Sequence, residues 1–210
     1  MITEVLGLKS ISKDVAVKFC KLCDWTYMAW VTHKYLFDKN ENPDDTIGKI
    51  PYFTTRLSTI TQEYCLQQIC KLHDPAIQGN CINLTIDYMV RFGEWGSQAR
   101  EIKAIQKRLS ALWDHLMRDC VRSKSLAHND LETIMSDSPL GAFPKGVDDQ
   151  YFQALQDLAN AVHSKWLDGP YPFNDLAKAD VEEFLALMKE VRRASNYANR
   201  CAPIDTSTKR

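Results

Sequence analysis

Glycine and proline are scarce in this chain, with eight of each in 210 residues. Alternating apolar–polar runs closed by tight-turn dipeptides are nearly absent, which argues against a fold built on sheets. No apolar run is long enough to span a bilayer, and the N-terminus shows no signal-peptide core. A cytoplasmic protein without a membrane partner is therefore expected. An excess of one charge is missing too. Lys and Arg number 26 against 27 Asp and Glu, a net charge of -1. Nothing global draws the chain to nucleic acid or acidic lipid, so any polyanion must be held by a local cluster. Cysteines number seven, an odd count spread over the whole length, and without a secretion signal a disulfide framework is not expected. Cys20 and Cys23 form a C-x-x-C, but inside a helical pattern and with no second such pair. Two buried thiols explain them better than a redox or zinc pair. Cys65, Cys70 and His73 share helical spacing, yet four convergent ligands are not visible. No metal and no cofactor are expected.

What is present is an apolar share of 45 % and a charged share of 25 %, enough for a real core. The apolar spacing is helical almost throughout. A first helix is predicted over 12–37, with Val15, Phe19, Leu22, Ala29 and Leu36 inward and Trp25, Tyr27, Trp30, Val31 and Tyr35 widening the stripe. A second is predicted over 46–73, with Pro51 near its start and Ile50, Phe53, Leu57, Ile60, Tyr64 and Ile69 inward. Asp74 and Pro75 end it, and 76–82 reads as a loop. Asn83 reads as the cap of a short helix over 84–92, stopped by Gly93. A third long helix starts near Ser97. Ile102, Ile105, Leu109, Leu112 and Leu116 recur on it at three and four residues, and Trp113 and Met117 broaden the face. It is expected to end within 124–128, because Asn129 followed by Glu132 reads as a new capping box. After a Pro/Gly loop over 136–146, a fourth helix is predicted over 148–167, with Phe152, Leu155, Leu158, Ala159, Val162 and Trp166 inward. Asp180 reads as the cap of a last helix that buries Val181, Phe184, Leu185, Met188 and Val191. The sum is an all-α fold, a single-domain bundle of five to six helices over 1–210, with its core at about 12–196 and a frayed tail at 202–210.

One short stretch carries chemistry. Arg122, Lys124, His128 and Asp130 fall within nine residues at the end of the third long helix. An imidazole moves protons near neutral pH, and a guanidinium holds charge that builds on phosphate oxygens. Cleaving RNA without a metal needs a base for the ribose 2′-hydroxyl, an acid for the leaving 5′-oxygen and cations for the phosphorane. One arginine and one histidine per chain are thin for that task, but a two-fold dimer supplies two of each in one cleft. On a straight helix Arg122 and His128 point about 120° apart, so a helix end or kink between them is required. Lys124 faces His128 at i, i+4, and Asp119, one turn before Arg122, can orient its guanidinium. Ser123 and Asn129 can hold a phosphate or fix the imidazole tautomer. His115 is a weaker auxiliary candidate, and Lys103, Lys107 and Arg108 can extend a basic track. The plain alternative is a solvated helix end at which Arg122 binds carboxylates and His128 complements the dipole.

Arg122 through Asp130, read as R-x-K-x-x-A-H-N-D, resembles the signature of HEPN domains, in the branch of the U-type abortive-infection proteins of bacteria. A second passage agrees. Lys71, Leu72, His73, Asp74 and Pro75, then Asn83, Leu84, Thr85 and Ile86, resemble that branch's "R-L-x-D-P … N-L-T-I". The resemblance covers most of 12–135. It implies an all-helical, usually dimeric domain. Many such proteins are metal-independent endoribonucleases of phage-defence or toxin–antitoxin systems, with RNA as substrate and an antitoxin or defence-system partner. It places the active pair on Arg122 and His128. Other members are non-catalytic scaffolds that bind a protein, RNA or a nucleotide. Ser123 stands where many members have Asn. Asp130 stands where certain HEPN toxins carry a tyrosine modified by a partner nucleotidyltransferase, which argues against that mode of neutralisation.

Overall fold

The computed structural model describes residues 11–43, 46–118 and 146–201, the side chains of 115–118 and 196–201 excepted. Among the described residues six α-helices pack together: α1 (Lys13–His33), α2 (Pro51–His73), α3 (Ile86–Phe92), α4 (Ala99–Arg118), α5 (Val147–Trp166) and α6 (Leu176–Cys201). The all-α expectation holds. No described helix is long and apolar enough to cross a membrane.

Local chemistry sets most of the ends. The Ser12 hydroxyl caps α1 by accepting from the Val15 amide at 3.3 Å, which satisfies one of the donors a helix start leaves open. Past His33 the helix widens into a π-helical turn, Lys34–Asp38, closed by the Lys39 amide on the Lys34 carbonyl. The second helix begins at Pro51 rather than at 46. A residue before proline is pushed out of the helical region, and Ile50 sits at φ -123, ψ 63. The stretch read as a loop over 76–82 contains a small antiparallel hairpin, β1 (Ile77–Gln78) with β2 (Cys81–Ile82), turned at Gly79 with φ +59. Asn83 does not cap α3. Its side chain bonds back to the Pro75 carbonyl, and Thr85 caps instead, accepting from the Tyr88 amide. Likewise Asp180 lies inside α6, whose first amide is taken by the Asn174 side chain at 2.8 Å. The expected capping box at Asn129 and Glu132, most of the 136–146 loop and the 202–210 tail lie outside the described residues.

The centre of the bundle is α1, which packs on α2, α5 and α6, while α4 packs on α5. Antiparallel pairing of α5 on α1 is fixed at two points. Phe152 near the start of α5 meets Tyr27 edge-on, and the Ala159 carbonyl accepts from the Cys20 thiol. Phe19, Cys20, Cys23, Ile69, Tyr151 and Leu155 are fully buried. The Cys20–Cys23 pair is therefore core, and burial pushes the Cys20 thiol up to about 12. A second small cluster joins Leu36, Ile47 and Val181.

Several apolar side chains expected inside are outside. Leu22 and Trp25 on α1, Phe53, Ile60 and Tyr64 on α2, and Phe184 and Val191 on α6 are exposed, as is Ile50 just before α2. The inward arc of α2 is instead Cys65, Leu66, Ile69 and Leu72. An apolar stripe reports that a helix has a wet side and an oily side. It does not report that this chain itself covers all of the oily one.

Candidate functional site

The candidate catalytic residues Arg122 and His128, and the supporting Asp119, Ser123, Lys124, Asn129 and Asp130, lie outside the described residues. So does the side chain of His115. What the structure describes is the frame on either side of them in sequence, α4 up to Arg118 and the start of α5.

That frame is held by His73. It is the last residue of α2, and its ring stacks flat on Trp113 of α4, with centroids 4.7 Å apart and planes 6° apart. Its Nε2 lies 3.0 Å from the hydroxyl of Tyr151 on α5. Three helices therefore meet through one imidazole. Burial lowers the His73 pKa to about 4, so the ring is neutral at neutral pH. Burial also holds the Tyr151 hydroxyl protonated. A neutral imidazole with its proton on Nδ1 accepts from that hydroxyl, and the pair is satisfied without charge. Sequence reading set His73 beside Cys70 as a weak metal option. Among the described residues no three His, Cys, Asp or Glu side chains converge to hold an ion.

The passage around His73 forms a clamp. Asp87 accepts from the Ala76 amide at 2.9 Å and from Arg91 at 3.2 Å. The Asn83 amide bonds to the Ala76 carbonyl, and its side chain bonds to the Pro75 carbonyl. Ile86 is buried. Together with the Thr85 cap, these bonds fix the turn from α2 to α3, and so fix the end of α2 on which His73 sits.

At the start of α5 a second fastening appears. Lys34, first residue of the π-helical turn, bonds Asp148 at 2.8 Å and Asp149 at 2.5 Å. Burial alone would lower the Lys34 amine, but the two carboxylates outweigh it and raise it. Asp148 is buried in the first turn of α5, where helix amides also favour a negative charge. Along α4, Arg100, Lys103 and Lys107 are exposed and lie on one face at helical spacing. Arg108 is on a different face and bonds Asp157 at 3.2 Å, so the basic track runs through the first three.

A bundle of packed helices is consistent with a HEPN fold. The family model of AbiU2, a HEPN family, matches residues 13–187. The chain belongs to the AbiU2 HEPN family. AbiU2 proteins are HEPN proteins of the abortive-infection type. The match begins at the first residue of α1, takes in both passages that carry the resemblance and ends within α6. No curated protein and no solved structure matches the chain.

Proposed function

We propose that this AbiU2 protein is a metal-independent endoribonuclease that works as a homodimer in a bacterial phage-defence or toxin–antitoxin system. The observation that carries the reading is that the family match runs across the stretch holding Arg122 and His128. The described frame supports it. Helix α4 is pinned at Trp113 by the His73 stack, and it presents the exposed Arg100, Lys103 and Lys107 for phosphate.

The chemistry follows from the residue types. A histidine base takes the proton from a ribose 2′-hydroxyl, and the 2′-oxygen attacks the adjacent phosphorus. The bond to the 5′-oxygen breaks, and an imidazolium protonates that leaving oxygen. The products are a 2′,3′-cyclic phosphate and a 5′-hydroxyl. Arg122 holds the negative charge of the phosphorane, Asp119 orients Arg122, and Lys124 adds attraction for phosphate. Ser123, Asn129 and Asp130 position substrate or imidazole. Base and acid are separate roles, and a two-fold pair of chains brings two histidines to one cleft.

The test is direct. Wild type and His128→Ala are expressed in a bacterial host, and the purified chains are incubated with RNA in excess chelator. Wild type arrests growth and cuts RNA to ends carrying cyclic phosphate, and chelator has no effect. The variant does neither, with a rate loss of at least about 100-fold. Equal RNA integrity with both chains would leave a binding scaffold as the function.

A further inference from the structure

The strongest unexplained feature lies on the face away from α4. Helices α2 and α6 both pack on α1 and leave a trough of about 870 Å3 between them. Its floor includes Trp25, Ala29, Thr32 and Leu36 of α1 and the turn after it, and its walls include Ile60 and Tyr64 of α2 and Leu176 and Phe184 of α6. The apolar wall continues beyond the trough. On α2, Phe53, Leu57, Ile60 and Tyr64 recur at four, three and four residues, one stripe of a helix. On α6 the stripe is Leu176, Phe184, Leu187 and Val191. Leu57 excepted, these side chains and Trp25 are 40 % to 65 % exposed. They offer on the order of 900 Å2, about one partner's share of a standard interface. Contiguous apolar surface of that size marks an interaction site.

Shape and charge select the occupant. The stripes run about 17 Å along α2 and about 23 Å along α6, the length of a helix of three to four turns. A trough walled by two helices over a third is the form that receives an amphipathic helix. Among the described residues, the only charged side chain lining it is Asp180. Winding α6 at 100° per residue puts exposed Glu183 and Glu190 within about 40° of the stripe's outer edge. That edge of α6 is acidic. The facing edge of α2 carries Arg56 and Glu63, which offset each other.

We propose that the trough receives an amphipathic helix of another protein, with its apolar stripe seated between α2 and α6 and its Lys or Arg residues against Asp180, Glu183 and Glu190. The proposal is argued from none of the residues 119–130 and stands or falls apart from the ribonuclease reading.

Two dye-labelled helical peptides of about 16 residues test it with the full chain. Both carry the same leucine stripe. One carries lysines on the edge facing α6, the other glutamates. Anisotropy titration is expected to give saturable binding of the lysine peptide, at least about tenfold tighter than the glutamate peptide. Ile60→Asp and Phe184→Asp each weaken it about tenfold or more. Both positions are exposed, so thermal melts are unchanged. Asp180→Lys combined with Glu183→Lys reverses the preference. Equal binding of the two peptides, no saturation by either, or affinity untouched by Ile60→Asp and Phe184→Asp would overturn the proposal. So would sedimentation showing that the chain alone is a dimer that Phe184→Asp splits, because a second copy would then fill the trough.

Discussion

His73 closes α2, stacks on Trp113 of α4 and meets Tyr151 of α5, so its protonation state bears on the whole bundle. Its pKa is about 4 in the folded chain because burial penalises the charged ring. In the unfolded chain it returns to about 6.5. Protons therefore bind the unfolded state more strongly, and stability falls as pH drops from about 6.5 to about 4, then levels. The loss integrates to roughly 3 kcal/mol. Burial lowers His33 as well, which adds to the loss in the same direction. His73→Gln keeps an acceptor for the Tyr151 hydroxyl and removes the titration. Urea unfolding between pH 7 and pH 4 should show a shallower decline in this variant by about that amount. An unchanged slope would mean that the ring is solvated in the folded state. In the sequence, His73 was legible as a spacing partner of Cys65 and Cys70 and as the variable position of the Lys71–Pro75 passage, neither of which names its contacts. Its real partners come from two other helices, 40 and 78 positions away by number, and no local pattern announces such a meeting. Caps were more legible because their chemistry is local. Ser12 reads correctly as the edge of α1 and Gly93 as the stop of α3, whereas Asn83 misleads because its amide bonds a carbonyl behind it rather than an amide ahead.

The short helix α3 shows how an element is fixed by what folds over its end. Gly93 follows Phe92, and the Trp95 indole turns back over it to donate to the Met89 carbonyl at 2.9 Å. A Cβ added at Gly93 would stand 2.3 Å from the indole nitrogen and 2.5 Å from that carbonyl. The backbone there is ordinary, with φ -78; the requirement is space. Gly93→Ala must drive the indole off its acceptor and disturb its edge-on packing against Trp166 at the end of α5. The expected cost is about 2–3 kcal/mol, the sum of overpacking and a lost buried bond. A thermal melt lowered by several degrees, with Trp95 emission shifted to the red, checks it; an unaltered melt would show the indole moving aside freely. Element existence was legible here from apolar periodicity, but element faces were only half so. The arc holding Cys65, Leu66, Ile69 and Leu72 packs inward, while the arc holding Phe53, Ile60 and Tyr64 is equally oily and looks outward. The hydrophobic pattern of α2 is the union of two arcs, one satisfied by α1 within the chain and one left for something else. Helix α6 repeats this, with Val181 and Leu185 inward and Phe184 and Val191 outward.

At the scale of the whole molecule, one chain brings one Arg122 and one His128, whereas the proposed reaction asks for a base, an acid and a cation together. If the cleft lies on a two-fold axis, the pairing itself predicts a result that no single chain can give. Under the proposed mechanism, Arg122→Ala and His128→Ala chains are each expected to be inactive as homodimers, the first for want of charge at the phosphorane and the second for want of a proton carrier. Unfolded together and refolded, about half of the dimers are mixed by random pairing. A mixed dimer holds one arginine and one histidine in the shared cleft, so its single imidazole must act first as base and then, as imidazolium, as acid. Cleavage should return to a measurable fraction of the wild-type rate, below about one half, and should vanish when the two proteins are mixed at a dilution that separates the protomers. Isolated active sites predict no recovery at any ratio, because every chain lacks one of the two groups. Recovery with Asp119→Ala in place of Arg122→Ala would be weaker in contrast to the parent, since a misoriented guanidinium still carries its charge and the single variant starts from a higher rate. The comparison therefore separates a residue that meets the phosphate from one that acts through it, and it decides at once whether the unit of function is the chain or the pair.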